Sequence, residues 1–246
     1  HHNAKMATMI QAVDDGVGRI VTKMEELGLT NQTAIVFFSD NGGYGPATDM
    51  APLKGYKGAY YEGGIREPFF VKWPGVVEAG TINETHIIGV DLYPTFLEMT
   101  GATAKDGQVQ DGLNLVPLFK GGTLSERSLF WHFPAYLQSY GGKGPFEQRD
   151  PLFRSRPVGV VRHGDWKLME FFESGDLELY NLKQDIGESR NLANSHPETL
   201  RKLHGIMKEW RQKTGAPIPS DRNPSFDPVA EKQAIEKALA LRKSFP

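Results

Sequence analysis

Apolar positions along the chain follow two rhythms. Between Ala4 and Leu27 they fall at Met6, Met9, Ile10, Val13, Val17, Ile20, Val21, Met24 and Leu27. Steps of three and four predict a one-faced helix, with Asn3 suited to its start and Gly28 to its end. Gly16 and Gly18 inside it each cost about 1 kcal/mol relative to alanine, which points to close packing there and to a methionine stripe in the core. The second rhythm is the short unbroken run. Ala34 to Phe38 is apolar throughout and rich in strand formers, as in a parallel-sheet strand covered on both faces. Phe69 to Trp73 predicts another buried strand, entered at Pro68 and left at Trp73-Pro74-Gly75. His86 to Val90 predicts a short strand, and Asp91 caps a helix through Met99 that Gly101 closes. A short helical turn fits 111–121.

Leu129 to Phe133 is strand-like, and residues 134–157 then lose all period, as a long loop does. Val158–Arg162, Trp166–Phe172 and Leu177–Leu182 follow as strands, with His163-Gly164-Asp165 and Ser174-Gly175-Asp176 as turns. That order predicts an antiparallel meander. Pro197 to Lys213 carries Leu200, Leu203, Ile206, Met207 and Trp210 on one helical face, and Asp227-Pro228 starts a last helix through Leu241. The expected fold class is α/β: a mixed sheet flanked by helices, plus a smaller C-terminal antiparallel sheet with a packed helix. The expected division is 1–134, a junction at 135–157, and a C-terminal subdomain at 158–246.

Composition narrows the chemistry. The 246 residues are 39% hydrophobic and 24% charged with a formal charge of -2, which gives no reason to expect nucleic acid or an anionic membrane as partner. No apolar run approaches the roughly 18 residues of a transmembrane helix. Cysteine is absent, which excludes disulfides, thiolate metal sites and cysteine nucleophiles. The opening His1-His2-Asn3-Ala4 lacks the pattern of a signal peptide, and His1 and His2 are either native residues or the remnant of a tag.

The candidate chemistry follows the first strand. Asp40 and Asn41 offer an anionic and an amide oxygen, the ligands hard cations prefer, although Asp-Asn-Gly-Gly is equally the composition of a turn. From Asn41 to Gly64 the chain holds seven glycines in 24 residues, so its backbone can approach a ligand closely. Lys54 and Lys57 in this loop are ammonium donors for an oxyanion. Glu62 and Arg66 can pair and fix the loop. His132 stands beside aromatics, either at the mouth of the site or as a packing residue. Arg154, Arg156, Arg162 and His163 either read anionic sugars or form a polar rim. Asn31-Gln32-Thr33 and Asn83-Glu84-Thr85 fit the glycosylation sequon.

The segments FFSDNGG, PLKGYKGAYYEGGIREPFFVKWPG, DLYPTFLEMTGA and ELYNLKQDIGESRNLA resemble the type I sulfatases of the alkaline phosphatase superfamily, in the same order over most of the chain. The resemblance implies hydrolysis of sulfate monoesters through a formylglycine, with calcium (or magnesium) drawing charge from the sulfate. It implies that Asp40 and Asn41 are metal ligands, that Lys57 is the catalytic sulfate-contacting lysine, and that Arg66 is supportive, with Lys54 and His132 as further substrate-side candidates. The implied partner is a sulfated small molecule or carbohydrate, and the implied location is periplasmic or secreted. The family's Cys/Ser-x-Pro-x-Arg motif is missing from the sequence. The expectation is therefore a carboxy-terminal part of a sulfatase, awaiting an amino-terminal segment and inactive alone. A phosphoester or phosphonate hydrolase of the same superfamily, or a non-catalytic fragment acting as a binding module, are the alternatives.

Overall fold

The computed structural model describes residues 3–139, 149–221 and 223–243. In chain order the elements are α1 (Ala4–Glu26), β1 (Ile35–Phe38), α2 (Glu62–Ile65), β2 (Phe69–Lys72), α3 (Leu92–Thr100) and α4 (Val116–Phe119). They continue with β3 (Ser128–Phe133), β4 (Leu137–Gln138), β5 (Phe153–Ser155), β6 (Val158–His163), β7 (Trp166–Phe171) and β8 (Leu177–Asn181). Two helices end the chain, α5 (Pro197–Thr214) and α6 (Pro228–Lys243). These fall into two compact units. One comprises Ile10–Phe38 and Pro68–Glu126, and the other Ser39–Glu67 and Arg127–Pro246 together with His1–Met9.

The predicted amino-terminal helix forms with its predicted ends. Asn3 Oδ1 accepts from the Met6 amide at 3.0 Å, and Gly28 closes α1 at φ 68°, a left-handed stop that glycine adopts without a Cβ penalty. Its packing differs from expectation. No residue of α1 is buried, and a Cβ at Gly16 or Gly18 would meet nothing within 4 Å. The stripe of Met9, Val13 and Ile20 is an apolar face that the described residues leave uncovered, because periodicity marks a face suited to burial and not its partner.

β1 also departs from the parallel, doubly covered strand expected of it. Among the described residues it pairs only with β2, antiparallel, from Ile35–Lys72 to Phe38–Phe69, and Phe37, Phe38 and Phe70 are exposed. An unbroken apolar run carries no information on strand direction. At 86–90 there is no strand. Gly89–Asp91 is a single 3₁₀ turn, and buried Asp91 uses its carboxylate on the Ile88 and Leu113 amides, both at 2.9 Å, instead of capping α3.

In the second unit the meander forms as an antiparallel sheet ordered β3-β6-β7-β8. One face packs Val161, Leu168 and Leu179 against Leu203 and Met207 of α5. The opposite face packs Val158, Val160, Met169, Phe171 and Tyr180 against Ala59 and Tyr61 of the 39–67 loop. Coverage on both sides is why β6 reads as an unbroken Val-Gly-Val-Val run. The expected loop at 134–157 contains the short β4–β5 ladder, and its residues 140–148 lie outside the described residues. Because Leu179 is fully buried between these layers, Leu179→Ala should lower unfolding free energy by about 2–5 kcal/mol. Urea denaturation would show this as a fallen midpoint with an unchanged slope.

Candidate active site

The 39–67 loop has one helical turn, α2, so its shape rests on backbone contacts and a few side chains. The two Gly-Gly pairs lie on each other. Gly42 N donates to Gly64 O at 3.0 Å and Gly63 N to Lys54 O at 2.8 Å. A Cβ at Gly42 would stand 1.9 Å from Gly63 O, and one at Gly63 would stand 2.2 Å from Gly55 O, so only glycine allows this approach. The Lys57 amide donates to Gly43 O at 2.9 Å. That bond holds the Lys57 backbone against the segment that carries Asp40 and Asn41. Asp40 and Lys57 are exposed and Asn41 is half-buried.

Glu67 belongs to the same place, since the Phe38–Phe69 pairing sets the residues flanking β1 and β2 side by side. Burial pushes its carboxyl up to about 7, opposed by the Ser39 hydroxyl and assisted by the Asp40 charge. Its buried Oε1 has no hydrogen-bond partner among the described residues. The sequence reading passed over Glu67. Its signal was the strand ladder, legible only once β1 and β2 are known to pair.

A buried charge cluster fastens the loop to the sheet. Lys167 on β7 is 0% exposed, Glu62 1% and Glu188 0%. The Lys167 ammonium stands 3.1 Å from Glu62 Oε1 and 2.8 Å from Glu188 Oε1. Glu188 Oε2 accepts from the Glu62 amide at 2.6 Å, and Arg162 Nη1 lies 3.4 Å from Glu62 Oε2. Burial pushes the Glu188 carboxyl up, against the downward pull of Lys167. Lys167 shares its strand face with Met169 and Phe171, which point at the loop. Period-two alternation in Trp166–Phe171 was thus the sign that this lysine faces inward.

The remaining candidates have structural partners. Arg66 pairs with Glu62 at 3.7 Å, as expected. The Lys54 ammonium lies 4.1 Å from the centre of the Tyr61 ring and donates to Glu188 O at 3.3 Å. Tyr61 in turn donates to Glu178 at 2.7 Å, and its hydroxyl is pushed up by burial and then by that carboxylate. His132 packs between Phe172 and Trp210, with ring centres at 5.3 and 6.1 Å. Its Nε2 stands 2.7 Å from Pro217 O, and a carbonyl only accepts, so Nε2 carries the proton. Of the expected polar rim, Arg156 binds Asp150, Glu173 and Glu231, Arg162 binds Glu62, and His163 meets Ser128 at 3.1 Å.

A mixed α/β chain with a glycine loop laid across an antiparallel meander has the fold of the alkaline phosphatase superfamily. Within it the chain belongs to the sulfatase family. The Sulfatase family model matches residues 2–102, and the model for N-sulphoglucosamine sulphohydrolase, C-terminal, matches residues 56–213. The chain is 32% identical over 264 positions to a sulfatase of Formosa agariphila, covering 97% of this chain and 45% of that protein. It is 30% identical over 228 positions to arylsulfatase A of Homo sapiens, covering 80% and 41%. Among solved structures, Ps i-CgsB in complex with k-i-k-neocarrahexaose superposes with a TM-score of 0.68 at 26% identity, covering 96% of this chain and 47% of that one. The chain thus spans less than half the length of these relatives.

Removing the central cation of the cluster leaves two carboxylates buried without it. Lys167→Met should therefore destabilise by about 3–5 kcal/mol. Burial raises the carboxyl pKa in the folded variant above its unfolded value, so folded chains bind the extra proton and the loss shrinks as pH falls. Denaturation midpoints of both proteins across acid and neutral pH would show the difference narrowing toward acid.

Proposed function

We propose that the protein hydrolyses sulfate monoesters of carbohydrates and that this chain supplies two metal ligands and one sulfate-binding lysine of the site. The observation that supports this reading is the Lys57–Gly43 backbone bond at 2.9 Å, which keeps the Lys57 backbone beside the segment that carries Asp40 and Asn41. The Asp40 carboxylate and Asn41 amide are hard oxygen donors, and the unpartnered buried Oε1 of Glu67 beside them adds a third oxygen. That chemistry fits Ca²⁺, or Mg²⁺, which take six or more oxygen ligands. No group of three or more His, Cys, Asp or Glu capable of holding a metal ion occurs among the described residues, so these residues make up part of a shell. When bound, the cation draws charge from the sulfate oxygens.

The Lys57 ammonium gives a charge-assisted hydrogen bond to a sulfate oxygen as negative charge grows on it. Arg66 and Lys54 hold the loop through Glu62 and Tyr61. His132 stays with its aromatic partners and takes no part. The family's formylglycine does not fit the residues present, since the sequence has neither cysteine nor a Ser-x-Pro-x-Arg motif, and no step here runs through it.

Sulfate release from sugar sulfates by the full-length enzyme tests the reading. Asp40→Ala and Lys57→Ala should each lower kcat/KM by about 10²–10³-fold, and Asp40→Ala should also weaken Ca²⁺ binding measured by calorimetry. His132→Ala should leave turnover unchanged. Full turnover in both of the first two variants would remove those residues from the site.

A further inference from the structure

The β4–β5 ladder sits on the turn that follows Lys57. A Cβ built on Gly58 would stand 2.5 Å from Leu137 Cδ2, so β4 lies directly on the Gly58 backbone. Leu137 pairs with Ser155 across the ladder, and the next residue is Arg156. Its guanidinium gives each of its three nitrogens to a different stretch of chain. Nε donates to Asp150, just before β5, and Nη1 to Glu173, between β7 and β8, at 2.6 Å. Nη2 donates to Glu231, in the first turn of α6, at 2.8 Å. The guanidinium also stands 5.0 Å from the centre of the Phe153 ring on β5, and the Arg156 side chain is 16% exposed.

Three carboxylates around one guanidinium carry an excess of negative charge, so they hold together only about that cation. The fork is planar and its donors point in fixed directions, unlike the swivelling ammonium of lysine. It therefore sets where each partner lies as well as neutralising it. Resting on the sulfatase reading above, we propose that Arg156 is a positioning residue of the hydrolase. By joining α6 and the β7–β8 turn to the foot of β5, it fixes the β4–β5 ladder on Gly58, and with it the backbone at Lys57. In this role α6 is the outer arm of a clasp whose inner arm is the ladder seated on the loop.

Two variants of the full-length enzyme test this: Arg156→Lys, which keeps the charge and loses the fork, and Arg156→Met, which loses both. In each, the amides of residues 56–60 and 136–139 should exchange hydrogen about tenfold faster than in the wild type, with β6–β8 unchanged. Sulfate release should show kcat/KM lowered about tenfold, the cost of a small displacement remote from the chemistry. Arg156→Lys is the discriminating variant, because lysine would restore a purely electrostatic role, and it decides alone if Arg156→Met fails to fold. Wild-type exchange at 56–60 in Arg156→Lys, or faster exchange there with unchanged kcat/KM, would overturn the proposal. Faster exchange throughout β6–β8 would also overturn it, since that marks general destabilisation. No sulfate release by the wild type would sink the hydrolase reading alone, with exchange still deciding whether Arg156 fixes the loop.

Discussion

A lysine buried between two buried carboxylates holds the candidate site in shape. The Lys167 ammonium meets Glu62 from the loop and Glu188 from beyond β8, at 3.1 and 2.8 Å. Such clusters add little net stability against an apolar alternative, because desolvating each ion costs several kcal/mol. What this one supplies is position. Glu62 begins the Glu-Gly-Gly turn, that turn carries Gly42, and Gly42 follows Asp40 and Asn41 in the chain. Gly43 then takes the amide of Lys57. Every candidate ligand is therefore within two residues of a contact traceable to Lys167.

Glu188 shows how firmly that position is set. It is a non-glycine residue at φ 51°, a left-handed conformation whose strain is of order 1–3 kcal/mol. It is kept there with its carboxylate on Lys167 and on the Glu62 amide, and its carbonyl accepting from Lys54. Tyr61 and Tyr180 both donate to Glu178, at 2.7 and 2.8 Å, a second tie between loop and sheet. A loop with so little regular structure is rigid where polar side chains pin it to a packed surface.

Much of this was legible in the residues, and what was not has physical reasons. Helices α1, α3 and α5 and the β6–β8 meander follow from periodicity, capping residues and turn dipeptides, all of them local. Partner choice is not local. The runs at β1 and β2 gave burial-prone strands but not their antiparallel pairing, and the α1 stripe gave a face but not its cover. At the site, glycine spacing marked 41–64 as a loop of close backbone approach, while Asp40, Asn41 and Lys57 were singled out by the family resemblance. Glu67 and the Lys167–Glu188 tie were hidden, since each depends on contacts between residues far apart in the chain. Gly187 precedes Glu188 and is the residue at which a left-handed turn would ordinarily be expected.

The central claim is that Asp40 and Asn41 hold a hard cation beside the Lys57 ammonium. A crystal structure of the full-length enzyme grown with calcium and a slowly cleaved sugar sulfate tests it most directly. The account predicts a cation bound to oxygens of Asp40 and Asn41 at about 2.3–2.6 Å, with Lys57 Nζ within hydrogen-bond reach of a sulfate oxygen. A cation bound elsewhere, with Asp40 turned to solvent and Lys57 away from the sulfate, would contradict it.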